Sequence, residues 1–330
     1  METKTIIMLI GALAGVPLAL AGYILAAEAL LRRGRRKRGR RGKETARALV
    51  WLAPSLALVA AFLVYPSIRT LYLSLRNEDS SGFVGLANFA HIFTDSAMLV
   101  VLRNNLAWLV IFTLATLTLG LLMAVLTDRV KYEAVAKSLI FLPMAISFVA
   151  AGIIWKFMYD FQPAGAPQVG TLNAALGAIV PGYTPRAWLF DVKTNNPALI
   201  VVGVWMWTGF AMVILSAGLK GIPVELIEAA RIDGASESQV FHRITLPLMI
   251  PTITVVATTL VVNVLKVFDV VYVMTNGNLG TEVIANRMYK EMFNYHNYGR
   301  ASAIAVILLL VIAPVMVANI RRSRKGGPNA

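Results

Sequence analysis

Residues 224–247 read Val-Glu-Leu-Ile-Glu-Ala-Ala-Arg-Ile-Asp-Gly-Ala-Ser-Glu-Ser-Gln-Val-Phe-His-Arg-Ile-Thr-Leu-Pro. They form a polar stretch between two long apolar runs, and their punctuation spells a helical hairpin. Pro223 suits a first helical position, where a missing N–H costs nothing, and Glu225 falls in the first turn, where the helix dipole favours an anion. Ala229 and Ala230 keep one face small enough for another surface to approach closely. Gly234 breaks the run, as a residue taking positive φ past a helix end does. Ser236 and Gln239 have the S-x-x-Q spacing of a capping box, and Val240, Phe241, Ile244 and Leu248 recur at helical spacing behind it. Leu246-Pro247 then turns the chain into the next apolar run.

The rest of the chain is largely apolar. Mean hydropathy is +0.69 and 58% of the 330 residues are hydrophobic, which places the chain among polytopic membrane proteins. There are no cysteines, so disulfides and thiolate metal sites are excluded. The histidines (His91, His242, His296) are far apart and suggest no ligand pair. The net charge of +14 is concentrated in one block, ten Lys and Arg in 32–47, directly after an apolar run. Such a block anchors topology on the inner side and meets anionic headgroups; it is not a nucleic-acid surface.

In chain order, the first apolar run (5–31) is too long for a signal-peptide core and has its positive charges after it, so it reads as a span with an external N-terminus. Pro17 bends that span without preventing it. Further spans are expected at 48–74, 98–127, 138–159, 197–219, 248–274 and 301–320. Pro143 early in the fourth frees a backbone carbonyl that protein must satisfy. Loop chemistry fills 75–97, 160–196 and 275–299, with Trp188 as an interfacial anchor. Basic residues divide twenty inside to seven outside on this topology, which puts the hairpin and the C-terminus in the cytoplasm.

Glu228-Ala229-Ala230, three residues, Gly234, nine residues and Ile244-Thr245-Leu246-Pro247 resemble the EAA loop of importer-type ABC permeases, the inner-membrane subunits of binding-protein-dependent transporters. The resemblance covers about 48–320. It implies an all-α integral membrane protein, a six-helix permease core plus one extra N-terminal transmembrane helix. It divides the chain into 1–47 (extra helix and basic loop), 48–320 (core, with the coupling loop at 218–247) and 321–330 (basic tail). It implies ATPase coupling through Glu228, Ala229, Ala230, Asp233, Gly234, Ile244, Leu246 and Pro247. The expected partners are a second homologous permease subunit, an ATPase dimer carrying ATP and magnesium, and an extracytoplasmic sugar-binding protein.

Within the family, similarity is strongest to the alpha-glucoside subgroup of sugar permeases. It lies in the extra helix with its Arg-rich loop, in Val264–Asn278 and in Gly280–Phe293. The substrates implied are maltose, trehalose, sucrose or related glucosides. Phe83–Phe89 also resembles the GLxNF segment of sugar permeases, and Trp207-Thr208-Gly209-Phe210 resembles the W-x-G-F segment of the maltose-type sugar pocket. By that match Trp207, Gly209 and Met212 are pocket positions; anchoring on Thr275-Asn276-Gly277 adds Asn263 and Val267. Val264 and Val267 stand where the family presents amides, a departure that shifts specificity toward the binding protein.

No phosphate loop G-x-x-x-x-G-K-[ST] occurs, so ATP hydrolysis by that route belongs to a partner. No ligand cluster or nucleophile elbow suggests an enzyme. Charges at membrane depth line cavities or pair. Asn263, Lys266 and Asp269, three apart, are expected on one helical face of the sixth core span, with Lys266 and Asp269 neutralising each other. They line a translocation path or form a structural polar seam. Trp205, Trp207, Thr208 and Gly209 cluster in the fifth, where aromatic faces suit sugar rings and also suit core packing. The rival reading is an ion-coupled secondary transporter of a small polar solute, which predicts repeated broken helices and needs no capped hairpin.

Overall fold

The structure, a computed structural model, describes residues 15, 18, 21–29, 40–128, 130–163 and 165–325, with side chains left aside at 40–44, 46 and 322–325. Most of the expected first span with Pro17, the basic block 32–39, Arg129 and the last five residues lie outside this set. The described residues are mostly helical, joined by turns and irregular segments, and fall into two compact units, Met1–Arg69 and Thr70–Ala330. In the first, residues 21–29 are helical; the Tyr23 hydroxyl donates to the Val50 carbonyl and its ring meets Trp51 edge-on at 6.5 Å. The unit boundary falls within the long helix α1 (Arg47–Leu73).

After α1 come α2 (Ala87–Thr94) and α3 (Ser96–Thr127), which Asp95 starts by accepting a hydrogen bond from the Met98 N–H. That bond holds the Asp95 carboxyl below the usual carboxylate range. Next are α4 (Glu133–Phe141), α5 (Phe148–Met158), α6 (Thr171–Ile179) and α7 (Asn195–Lys220). The hairpin is α8 (Val224–Ile232) followed by the start of α9 (Glu237–Val264). The chain closes with α10 (Asp269–Met274), α11 (Ile284–Phe293) and α12 (Tyr298–Lys325). Among the described residues five helices are long and apolar enough to cross a membrane, or six if α4 and α5 are one broken span.

Two expected spans prove discontinuous. The segment expected as one helix over 138–159 bends by 98° between α4 and α5. Leu142–Ala145 tightens into a 3-10 turn around Pro143, and Ser147 starts α5 by accepting from the Ala150 N–H. The segment expected over 248–274 stops at Val264 and restarts at Asp269. Apolar periodicity runs straight through both breaks, so it does not disclose them. The segment 275–299, read as an external loop, contains helix α11.

Helix α7 is the axis of the second unit, with 67% of its most apolar stretch buried. Small residues let neighbours close on it, which is how helices associate where lipid removes the hydrophobic drive. A Cβ on Gly120 would stand 2.5 Å from the Ala211 Cβ, so α3 and α7 meet almost backbone to backbone. A Cβ on Gly209 would stand 2.5 Å from the Ile140 carbonyl oxygen, where the end of α4 crosses. At the end of α7 away from the hairpin, an irregular loop is held by side-chain amides that satisfy its backbone carbonyls. Asn104 Nδ2 donates to the Gly280 and Glu282 carbonyls at 2.6 and 2.9 Å, and Asn195 Nδ2 to that of Leu279 at 2.8 Å.

Candidate functional site

The hairpin is built from its caps. Pro223 precedes α8 as its N-cap, with φ −55° and ψ 126°, one place before the first-turn position its sequence suggests. At the other end Ala235 N–H donates to Ala230 O at 3.0 Å and Gly234 N–H to Arg231 O at 3.1 Å, with Gly234 at φ +82°. This paired pattern uses carbonyls that a helix end otherwise orphans. Both halves of the Ser236–Gln239 capping box are present. Arg231 grips Glu237 through Nε at 2.8 Å and its second nitrogen at 3.2 Å, bracing the two arms. Glu228, Ala229, Asp233 and Gly234 are exposed, as are Val224, Leu226 and Ile232, the last by 85%. On the return arm Pro247 is exposed and Ile244 and Leu246 are half-buried. There the backbone widens into an i→i+5 turn, Phe241–Thr245, a feature that recurs at functional sites.

The neck of the hairpin is charged. Lys220 pairs with Glu133 at 2.6 Å and reaches Asp128 at 3.6 Å, while Lys137 meets both Glu133 and Ser216. These contacts tie the end of α3, the start of α4 and the end of α7 at the point where the hairpin leaves.

Half-way along α7 lies a cavity of about 230 Å³. Trp108, Phe112, Phe148, Trp207 and Phe268 supply rings, and Asn263, Lys266 and Asp269 supply polar groups. Trp207 stacks on Phe148 at 6.4 Å, and Asn263 is held by donating to the Thr259 carbonyl at 2.9 Å. Trp108 is 1% exposed, and its indole N–H has no partner among the described residues. Val264 and Val267 complete the wall at the break between α9 and α10.

Of the residues expected on the path, Trp207, Asn263, Lys266, Val267 and Asp269 line this cavity. Gly209 and Met212 are not on its wall: Gly209 serves the close approach of α4, and Met212 is 0% exposed in the core. The shared helical face for Asn263, Lys266 and Asp269 is also corrected. The helix ends between them, and it is the break that brings them to one cavity. Among the described residues no ion pair joins Lys266 to Asp269; both are exposed at the rim. Trp205 turns elsewhere, packing on Trp155 at 5.7 Å. The sequence reading missed Trp108, Phe112, Phe148 and Phe268. Trp108 and Phe112 sit at the two ends of a second i→i+5 turn, Trp108–Phe112, which re-aims α3 by a fraction of a turn and leaves no mark in apolar periodicity.

Residues 116–325 match the family model described as binding-protein-dependent transport system inner membrane component. The osmoprotective compounds uptake permease protein GgtC of Synechocystis sp. is 57% identical, over 83% of this chain and 97% of its own length. The alpha-glucoside transport system permease protein AglF of Rhizobium meliloti is 45% identical, over 84% of this chain and 83% of its own. Among solved structures, a bacterial ABC transporter that imports the acidic polysaccharide alginate superposes with a TM-score of 0.73 at 23% identity, over 88% of this chain and 100% of that chain. That likeness shows a shared fold.

Proposed function

The chain belongs to the family of binding-protein-dependent transport system inner membrane components, and from that premise we propose that it forms half of the translocation path of an ATP-driven importer for alpha-glucosides or osmoprotective compounds. The observation that carries the substrate class is the mid-helix cavity, in which aromatic rings face Asn263, Lys266 and Asp269. Sugar rings present apolar C–H faces that stack on aromatic side chains, and their hydroxyls need the polar groups beside them. The alpha-glucoside named for one relative agrees with that chemistry.

In this reading a binding protein delivers the solute from outside, a second permease completes the path, and a separate ATPase dimer binds ATP and magnesium. The chain itself is not an enzyme. Its hairpin seats on the ATPase through exposed Val224, Leu226 and Ile232, with Glu228 making a charge-assisted contact. The charged neck carries closure of the ATPase to α3, α4 and α7. Trp207→Ala tests the cavity. Uptake of a labelled alpha-glucoside should fall about threefold to tenfold, the worth of one aromatic contact, while complex assembly and basal ATP hydrolysis persist. Unchanged uptake kinetics would return this cavity to mere packing.

A further inference from the structure

Between Asp160 and Arg186 the chain carries no charged residue. Helix α6 lies in this stretch, which joins the end of α5 at Met158 to the start of α7 at Asn195, away from the hairpin. A helix in water shows its polar groups and hides its apolar ones; α6 does the reverse. Its one amide, Asn173, is 1% exposed and is spent on the segment itself. Asn173 Nδ2 donates to the Asp160 and Arg186 carbonyls, both at 3.0 Å. Its Oδ1 accepts from the Tyr183 hydroxyl at 2.8 Å, the Arg186 N–H at 3.1 Å and the Trp188 indole N–H at 3.0 Å. Beyond Thr171 in the first turn, the outward residues are Ala174, Ala175, Gly177, Ala178 and Ile179, the last 76% exposed.

The exposed apolar surface does not stop at the helix. Val180 follows it, and Phe190 and Val192 are 70% and 64% exposed on the way back to α7. Helix α5, on which α6 packs, exposes Val149, Ile153 and Phe157, four residues apart and so on one face. Apolar exposure of this extent marks a contact with protein or with membrane. A protein partner is met by aromatic, Met and Arg anchors, and the outward face of α6 has none. Charge returns only at the margin, where Arg186, Asp191 and Lys193 are exposed, as suits side chains that reach up to headgroups. The irregular backbone from Val180 to Thr194 keeps the segment above the hydrocarbon, which does not tolerate such backbone facing lipid. Trp188, whose residue type suggests the interfacial anchor, gives its indole N–H to Asn173 and packs its ring 6.2 Å from that of Tyr159, so it braces the segment from within.

We propose that α6 and the turn that follows it, through Val192, form an in-plane membrane anchor. Helix α6 lies along the leaflet opposite the hairpin, with its Ala174–Ile179 face sunk about 5–10 Å into the headgroup–acyl boundary. Its partner is the lipid surface, met by apolar burial, while the polar side of the helix is satisfied by protein. The anchor fixes the outer ends of α5 and α7, the helices that bring Phe148 and Trp207 to the cavity. It holds whichever solute is carried.

The chain has no cysteine, so Ile179→Cys and Phe190→Cys each put a single fluorophore on an exposed site and leave the core intact. The full assembly, its other subunits free of cysteine, is reconstituted in proteoliposomes with and without phospholipid brominated in the upper acyl chain. Emission from both positions should be lost in brominated lipid. Emission that persists there at either position overturns the anchor, and further measurements then say what covers the surface. Quenching by iodide in the water leaves the segment in solvent, and relief of that quenching by sugar-loaded binding protein makes it a docking surface for that protein. Quenching by brominated lipid in the chain alone but not in the full assembly gives the surface to the second permease.

Discussion

At the residue scale, two glycines show how differently one side chain's absence can act. Gly209 has an ordinary helical backbone, and its role is space, because the Ile140 carbonyl and the Phe141 Cα lie where a Cβ would go, at 2.5 and 2.6 Å. Gly209→Val should therefore overpack the α4–α7 crossing at a cost of about 1–3 kcal/mol. The detergent-purified complex should lose thermal stability. Equal melting temperatures for Gly209→Val and wild type would show that the crossing yields freely. Gly234 is the opposite case. An added Cβ meets nothing within 4 Å, but φ is +82°. The cost of a Cβ there is backbone strain alone, about 1–2 kcal/mol.

At the element scale, that strain can be used to test the hairpin. Gly234→Asn tolerates the left-handed backbone and should keep stimulated ATP hydrolysis. Gly234→Pro fixes φ near −65° and removes the N–H that Arg231 O accepts. It should abolish stimulation by binding protein and sugar while the chain still reaches the membrane; full stimulation in Gly234→Pro would remove the hairpin from coupling. The hairpin was legible in the sequence because caps are local: Glu225, Gly234, Ser236 and Gln239 act on backbone within a few residues of themselves. The long spans at 96–127, 195–220 and 298–321 were legible for a similar reason, as uninterrupted apolar length. The cavity was not. It depends on the break at 265–268, on the i→i+5 turn at Trp108–Phe112 and on the bend after α4, each decided by what packs across from it. Asn263 and Trp207 could be singled out by residue type, but Phe268 and Phe148 look like any buried aromatic until the breaks place them.

At the scale of the whole molecule, three features lie along α7: a polar-rimmed cavity half-way, a loop fastened by Asn104 and Asn195 at one end, and the charged neck and hairpin at the other. The charge distribution then predicts which end is which. Twenty basic residues against seven predict the hairpin and C-terminus in the cytoplasm and the N-terminus outside. Tags at the two termini should differ in protease access in sealed vesicles, and identical access would rule out an odd number of spans. On the proposed function, ATP hydrolysed by a partner drives sugar through this chain. The most direct test is import of a labelled alpha-glucoside into sealed vesicles holding the full assembly, with ATP inside and sugar-loaded binding protein outside. The account predicts import that requires ATP and the binding protein, survives an uncoupler that collapses ion gradients, and is lost with Gly234→Pro. Import that proceeds without ATP and stops with the uncoupler would contradict it.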